Sequence, residues 1–281
     1  MNPAVLERRA LALKAARGYF DSLGFVEVET PVRIAAPAPE PHIDCPPVAT
    51  GGFLRASPEL QMKRLLADGM EKIYQIGPCF RDGEKGSRHN PEFTMVEWYR
   101  KGADYLEIAR DLEGLLRATG LDIGGTRRLG VREAYLRFAG WDPWEAWDKD
   151  RFDEDMALKI EPAIAKMREG VFLFDYPKEA ASLARVSGAG KDVHAERWEF
   201  YFGGMELANA FSELCDPDEQ AARFREAAAE REILGEAGYP LDAEFLGSLG
   251  RIGSAAGAAL GFDRLVMLLT GEKNISSARV V

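Results

Sequence analysis

The 281-residue chain has three cysteines, 46% hydrophobic residues and a formal net charge of -10, which suits one large or two modest soluble domains and excludes a disordered or disulfide-stapled protein. Cys45, Cys79 and Cys215 are widely spaced with no C-x-x-C pairing, so neither a structural zinc site nor an oxidised framework is expected and the compartment reads as reducing and cytoplasmic. The acidic balance argues against broad binding to the phosphate backbone of DNA or RNA.

From Leu6 to Phe20, apolar residues alternate with Glu7, Arg8, Arg9, Lys14 and Arg17 at helical spacing, which predicts an amphipathic helix over about Val5 to Asp21 rather than a signal peptide. Gly24, a strand-like run from Phe25 to Glu29 and a proline-dense loop from Pro31 to Pro47 follow. A short strand at Phe53 to Ser57 leads to a helix with Ser57 as its cap and Pro58 and Glu59 in its first turn. Strands at Lys72 to Arg81 and Phe93 to Lys101 flank a polar loop, which predicts an antiparallel pair, and a helix runs from Asp104 to Ala118. The stretch from about Gly120 to Gly170 reads as helical, with Trp141, Trp144 and Trp147 as packing residues. After a strand at Val171 to Tyr176, the run Glu196 to Leu207 folds about Gly203-Gly204 as a hairpin. A charged helix at Pro217 to Glu236 and a Gly/Ala-rich run, Gly253 to Gly261, entering a helix at Asp263 to Thr270, complete an α+β pattern built on an antiparallel sheet. The apolar stretch near the C-terminus is broken by Asp263 and Arg264 and is too short to span a bilayer, so no membrane role is implied.

Three constellations carry chemistry. In a two-residue hairpin loop Phe202 pairs with Met205 and Tyr201 with Glu206, which puts Glu199 and Glu206 on one face as diagonal neighbours. That pair reads either as two solvated glutamates or as a seat for a hard cation such as magnesium, which brings phosphates with it. The strand after the polar loop puts Phe93, Met95, Glu97 and Tyr99 on one face, and a buried Glu97 calls for a cationic ligand. Arg81, Glu84, Arg88 and His89 lie where a phosphate chain could be clamped, although loop charges are as often merely solvated. Finally, small residues from Gly257 to Gly261 allow close backbone approach to a ligand, and Arg264 behind them could stack on a purine. Together the three favour a nucleotide site.

These residues resemble a known family. Phe80-Arg81 through His89-Asn90-Pro91-Glu92-Phe93-Thr94-Met95-Val96-Glu97-Trp98-Tyr99 is similar to motif 2 (about 72–101) of class II lysyl-tRNA synthetases. Glu206 to Leu214 resembles their lysine-pocket segment (about 196–214), Gly257 to Arg264 their motif 3 (about 253–270), and Gly24-Phe25-Val26-Glu27-Val28-Glu29-Thr30-Pro31 their motif 1 (about 18–31), which forms the dimer interface. The first helix starts within a few residues of Met1, which leaves the expectation of a single catalytic domain over 1–281 without the anticodon-binding OB domain. That architecture, Ser57-Pro58-Glu59 in place of the synthetases' Ala-Pro-Glu, and Ala259 at a usual motif 3 glycine resemble the elongation factor P lysine ligases, synthetase paralogues that adenylate a lysine isomer and transfer it to a protein lysine.

The resemblance implies roles position by position. Arg81 would clamp the α-phosphate and the substrate carboxylate, Phe93 and Arg264 would sandwich adenine, and Glu84, Arg88 and His89 would lie over the triphosphate of ATP. Glu199 and Glu206 match the acids that hold Mg2+ and ATP. Glu59 would take the substrate's backbone-side amine and Asn209 its carboxylate, and Glu213 with Tyr99 would take its terminal ammonium, with Glu97 nearby and Ser57 and Ala259 shaping the pocket. The expected substrates are ATP, α-lysine or (R)-β-lysine, and elongation factor P, on a homodimeric enzyme with tRNA disfavoured. A minimal tRNA-charging lysyl-tRNA synthetase and a noncatalytic synthetase-like regulator are the alternatives. Two departures are visible. Gly83 stands where the families carry a motif 2 glutamate, with Glu84 one residue later. Strict alternation from Glu206 would also send Asn209 and Glu213 to the opposite face, so the assignment requires a bulge between them.

Overall fold

The computed structural model describes residues 2–279. Its first helix, α1 (Pro3–Ser22), opens with the Asn2 side chain accepting the Ala4 N–H and Pro3 in the first turn. Two-residue strands β1 (Val26–Glu27) and β3 (Phe53–Leu54) bracket the proline-dense segment and β2 (Arg33–Ile34) lies within it, with β2 and β3 pairing apart from the main sheet. The buried Arg55 guanidinium supports this segment by donating to Thr30 O and Pro78 O. Helix α2 (Glu59–Ala67) has Pro58 rather than Ser57 at its cap position, a shift of one residue from the sequence reading. The Ser57 hydroxyl still accepts the Glu59 N–H at 3.0 Å, so the capping chemistry survives the shift.

Strands β4 (Lys72–Phe80) and β5 (Glu92–Lys101) form the expected antiparallel pair, in register throughout. Helix α3 (Tyr105–Thr119) begins with a capping box, Asp104 accepting from the backbone of Leu106 and Glu107 while the Glu107 side chain returns to the Asp104 N–H. The stretch after it departs from the all-helical expectation: Thr126–Gly130 is an edge strand, β6, parallel to β7 (Gly170–Tyr176). Its sequence, Thr-Arg-Arg-Leu-Gly, has no alternation to betray it; an edge strand needs only one paired side and little apolar surface. The short helices between β6 and β7 pack Trp141 and Trp144, whose indole N–H groups donate to Asp155 Oδ2 and Val193 O. Strands β8 (Val186–Ser187), β9 (His194–Phe202), β10 (Met205–Ser212) and β11 (Ala255–Gly261) complete a nine-stranded, mostly antiparallel sheet ordered β1-β4-β5-β11-β10-β9-β7-β6, with β8 on β9.

The sheet has two chemically distinct faces. One row across it, Tyr74, Trp98, Ala258, Ala210, Trp198 and Phe174, is apolar and lies under α1 and α3. The adjacent row, Gln75, Glu97, Ala259, Asn209 and Glu199, belongs to the opposite face and is polar. Alternation alone would break this division along β10, because Glu206 pairs with Tyr201 whereas Ala208 pairs with Phe200. The register shift is a bulge at Leu207, and both Leu207 and Ala208 join the core. Asn209, Phe211 and Glu213 are thereby returned to the face that carries Glu206.

Gly257 sits opposite Tyr99 in the middle of this face. A Cβ there would run into the Tyr99 ring and stand 2.9 Å from the Trp98 carbonyl oxygen, and Tyr99 is buried too deeply to yield. Gly257→Ala is therefore expected to lower unfolding free energy by about 1–3 kcal/mol, the usual cost of overpacking, read from urea midpoints. Unchanged stability would show that the Tyr99 ring can move.

Candidate active site

A cavity of about 380 Å³ opens on the polar face, lined by residues of β5, β9, β10 and β11, Arg81 and the loop that follows it, the start of α2 and the start of the helix Phe262–Thr270. Ser57, Glu59, Arg81, Glu84, Arg88, His89, Phe93, Glu97, Tyr99, Glu199, Glu206, Asn209, Glu213, Ala259 and Arg264 all line it, so every candidate from the sequence converges on one site. Two alternate rows of the sheet, sharing the polar face, lay out its floor: Tyr99, Gly257, Phe211 and Arg197, then Glu97, Ala259, Asn209 and Glu199. The small side chains of β11 leave room above the middle of that floor.

One end is built from cations and the loop. The Arg81 guanidinium lies 5.2 Å from the centre of the Phe93 ring and 3.5 Å from Glu84 Oε1, and its Nε is buried without a hydrogen-bond partner. Gly83 adopts φ +76, a conformation that disfavours any side chain there, and the turn it makes delivers Glu84 to Arg81. Arg88 Nη1 donates to Gly204 O at 2.7 Å, tying the loop to the hairpin turn. Arg264 donates from Nη1 to Glu206 O at 2.8 Å and from Nη2 to His89 Nε2 at 2.7 Å. Burial and the Arg264 charge hold the His89 imidazole below its ordinary pKa.

Glu199 and Glu206 occupy the hairpin on this same face, as expected from its parity. Glu199 accepts from Arg197 Nη2 at 2.5 Å and from the Tyr201 hydroxyl at 2.6 Å. Desolvation at the cavity wall, and then the charge of Glu199, raise the half-exposed Glu206 carboxyl, and a divalent cation between the two acids would remove the repulsive part of that rise. Among the described residues no group of three or more acid, histidine or cysteine side chains could hold a metal by itself.

The other end is acidic and deeply buried. Glu97 accepts from Ser57 Oγ and from the Tyr99 hydroxyl, each at 2.7 Å. Tyr99 therefore supports Glu97 directly, whereas the sequence reading grouped it with Glu213. Burial and the Glu59 charge push Glu97 up to about 7. Burial pushes Glu213 up to about 8 against the pull of Lys63, with Glu59 and Glu97 adding to the rise. Asn209 Oδ1 and Glu213 Oε1 are buried with no hydrogen-bond partner among the described residues, a costly arrangement unless a ligand donates to them.

Sequence reasoning missed three lining or supporting residues. Arg197 lies two residues before Glu199 and shares its face, a signal that alternation contained. Lys63, four residues after Glu59 on α2, pairs with Glu59 at 2.6 Å and with Glu213, and that spacing was also legible. Glu40 reaches the cavity from the proline-dense loop, where no periodicity could have placed it.

Comparison with known proteins fits this geometry. The family model for class II tRNA synthetases (D, K and N) matches residues 2–280, and the chain belongs to that class. The chain is 37% identical to the elongation factor P–(R)-β-lysine ligase of Proteus mirabilis, over 97% of this chain and 93% of the relative. The proteins of the same name from Vibrio cholerae and Yersinia enterocolitica are likewise 37% identical, over 96% and 97% of this chain and 92% and 93% of theirs. Within the class II synthetases, the chain belongs to the family of these ligases.

The folded protein keeps the Glu97 proton to higher pH than the unfolded chain, so between about pH 4.5 and 7 the unfolded state binds fewer protons and stability falls as pH rises. Glu97→Gln is expected to flatten that fall, the two proteins diverging by up to about 3 kcal/mol across the window. Parallel pH profiles of unfolding free energy would contradict the buried, proton-holding state.

Proposed function

We propose that the chain is an ATP-dependent ligase that adenylates a lysine isomer, (R)-β-lysine or α-lysine, and transfers it to a lysine side chain of elongation factor P. The observation that supports this most is the polarity of one cavity. Arginines stand at one end, and three carboxylates, the buried Glu97 and Glu213 and the half-buried Glu59, stand at the other. An amino acid with two ammonium groups and one carboxylate matches that layout, its amines toward the acids and its carboxylate toward Arg81.

In this reading the substrate carboxylate attacks the α-phosphate of ATP in line, forming the acyl-adenylate and releasing pyrophosphate. Arg81 orients the carboxylate and stabilises charge at the α-phosphate, while Arg264 and Phe93 hold the adenine. Arg88 and His89 face the outer phosphates, and Asn209 fixes the amino-acid carboxylate. Glu199 and Glu206 are the residues that would hold Mg2+, which supplies charge neutralisation along the phosphates when bound. In the second half-reaction the acceptor amine adds to the adenylate carbonyl, the amide bond forms, and the bond to AMP breaks. No side chain needs to act as a nucleophile.

The proposal extends to the whole chain acting as one catalytic unit in the cytoplasm, and to a homodimer through the motif 1 segment. Leu11 on α1 and Val26 on β1 are exposed apolar residues in and beside that segment, and sedimentation equilibrium distinguishes dimer from monomer.

The direct test offers purified protein ATP, Mg2+ and either lysine isomer, with elongation factor P and bulk tRNA together. Intact mass and acid-precipitable aminoacyl-tRNA are then followed. A gain of one lysyl unit on the factor with tRNA uncharged is expected. Charged tRNA with unmodified factor would mean a minimal synthetase, and no pyrophosphate exchange with any amino acid would mean a noncatalytic protein. Arg81→Ala should lower pyrophosphate exchange at least ~100-fold, on the order of 3 kcal/mol of transition-state stabilisation. Near-normal exchange would refute its role.

A further inference from the structure

Lys63 is a fully buried lysine on α2, and nothing in the chemistry above uses it. Its ammonium lies 2.6 Å from Glu59 Oε1 and in direct contact with Glu213 Oε2, bridging two of the three carboxylates of the acidic end. Glu97 and the Tyr99 hydroxyl face the same cluster from β5, and Cys215 lies beyond Glu213. Burial works to discharge the lysine, but Glu213 and Glu59 outweigh it and hold the ammonium above its ordinary pKa. A buried ion pair of this kind is a poor source of stability, because replacing it with apolar side chains is often neutral or favourable. Its position, immediately behind two carboxylates that line a cavity, calls for a different reason.

Counting charge gives one. With all groups ionised, three carboxylates against one internal ammonium leave two negative charges at this end of the cavity. A diamino acid whose carboxylate is taken by Arg81 brings two positive charges to the same place. Without Lys63 the three acids would face two ammonium groups and one would have to stay protonated. The same bridge also holds Glu59 and Glu213 at a fixed separation, leaving Glu213 Oε1, which has no hydrogen-bond partner, free to receive a donor.

We infer that Lys63 is a positioning residue that sets the charge of the amine pocket, neutralising one of its three carboxylates and tying Glu59 to Glu213 so that the cavity accepts a dicationic amino acid. The inference rests on the ligase reading for the identity of that amino acid. The charge balance itself predicts affinity for a simple diamine.

Lys63→Met removes the charge while keeping much of the side-chain volume. The expected result is a KM for the lysine isomer raised about tenfold or more at pH 7 with the KM for ATP within about twofold. The acid limb of kcat/KM for the amino acid should move up by about one pH unit, because the acids lose the cation that favours their ionised forms. A role confined to stability would lower the thermal midpoint and the active fraction and leave the amino-acid KM and its pH limb unchanged, and that outcome overturns the inference, as does an equal loss for ATP and amino acid. If Lys63→Met does not fold, Lys63→Ala refolded with ethylammonium replaces it. Amino-acid KM that improves with added ethylammonium supports the inference, and a KM indifferent to it overturns the inference. Calorimetric binding of 1,5-diaminopentane separates the two levels. A wild type that binds the diamine more tightly than Lys63→Met but exchanges no pyrophosphate would sink the ligase reading alone. A wild type that neither binds the diamine nor exchanges would sink both.

Discussion

Because side chains alternate along a strand, a single extra residue in β10 decides which of its groups meet the cleft and which meet the core. With Leu207 as the extra residue, Met205, Leu207, Ala208 and Ala210 all join the apolar cluster beneath α1 and α3. Glu206, Asn209, Phe211 and Glu213 all line the cavity. A regular strand would send Asn209, Phe211 and Glu213 toward Trp98 and Trp198, where a carboxylate and an amide would have no partners, at a cost of several kcal/mol each. The bulge therefore allows one strand to reach the arginine-lined end of the cavity through Glu206 and its acidic end through Glu213.

The free protein carries the cost of its own specificity. Glu97 and Glu213 are buried carboxyls raised toward neutrality, and Asn209 Oδ1 and Arg81 Nε are buried without partners. Such groups weaken a fold taken alone and gain most when a ligand of opposite charge arrives. A ligand lacking an ammonium group would leave a buried carboxylate unpaired. The site is thus preorganised for a charged, polyfunctional ligand rather than for a large apolar one.

Behind the Phe93 and Arg264 side of the cavity, Asp263 accepts from Arg9 Nη1 at 2.5 Å and from the Thr94 N–H at 3.0 Å, while Arg9 Nη2 donates to Thr94 Oγ1. These contacts join α1, β5 and the helix Phe262–Thr270 through one buried carboxylate. Phe93 and Arg264 are each adjacent in sequence to a member of this junction, so it fixes the backbone from which both project. Helix α1, distant from the cavity in sequence, thereby supports it in space.

Much of the fold and most of the site could be read along the chain. The helices α1 and α3, the β4–β5 and β9–β10 hairpins and the Gly/Ala strand into the last helix follow from local periodicity and turn residues, which act over a few positions. Of the candidate site residues, Glu97, Tyr99, Glu199, Glu206 and Arg264 were suggested by strand alternation, hairpin parity and the small-residue run, whereas Ser57, Glu59, Asn209, Glu213 and Ala259 came only through resemblance to family motifs. Edge strand β6 was hidden because its Arg-rich sequence carries no pattern and its pairing partners, Thr126 with Gly170 through Gly130 with Phe174, lie far apart in the chain. Glu40 was hidden in a loop whose path is set by tertiary contacts such as those of Arg55 and Arg231. The need for a bulge in β10 was deducible, since the motif and strict alternation conflicted, but where the extra residue falls was not. The sequence by itself determined which elements form and which chemical groups are available. Only the tertiary structure decided that Lys63 faces Glu59 and Glu213 and that Tyr99 serves Glu97, because ionisation and pairing in a buried cluster depend on distances between groups far apart in the chain.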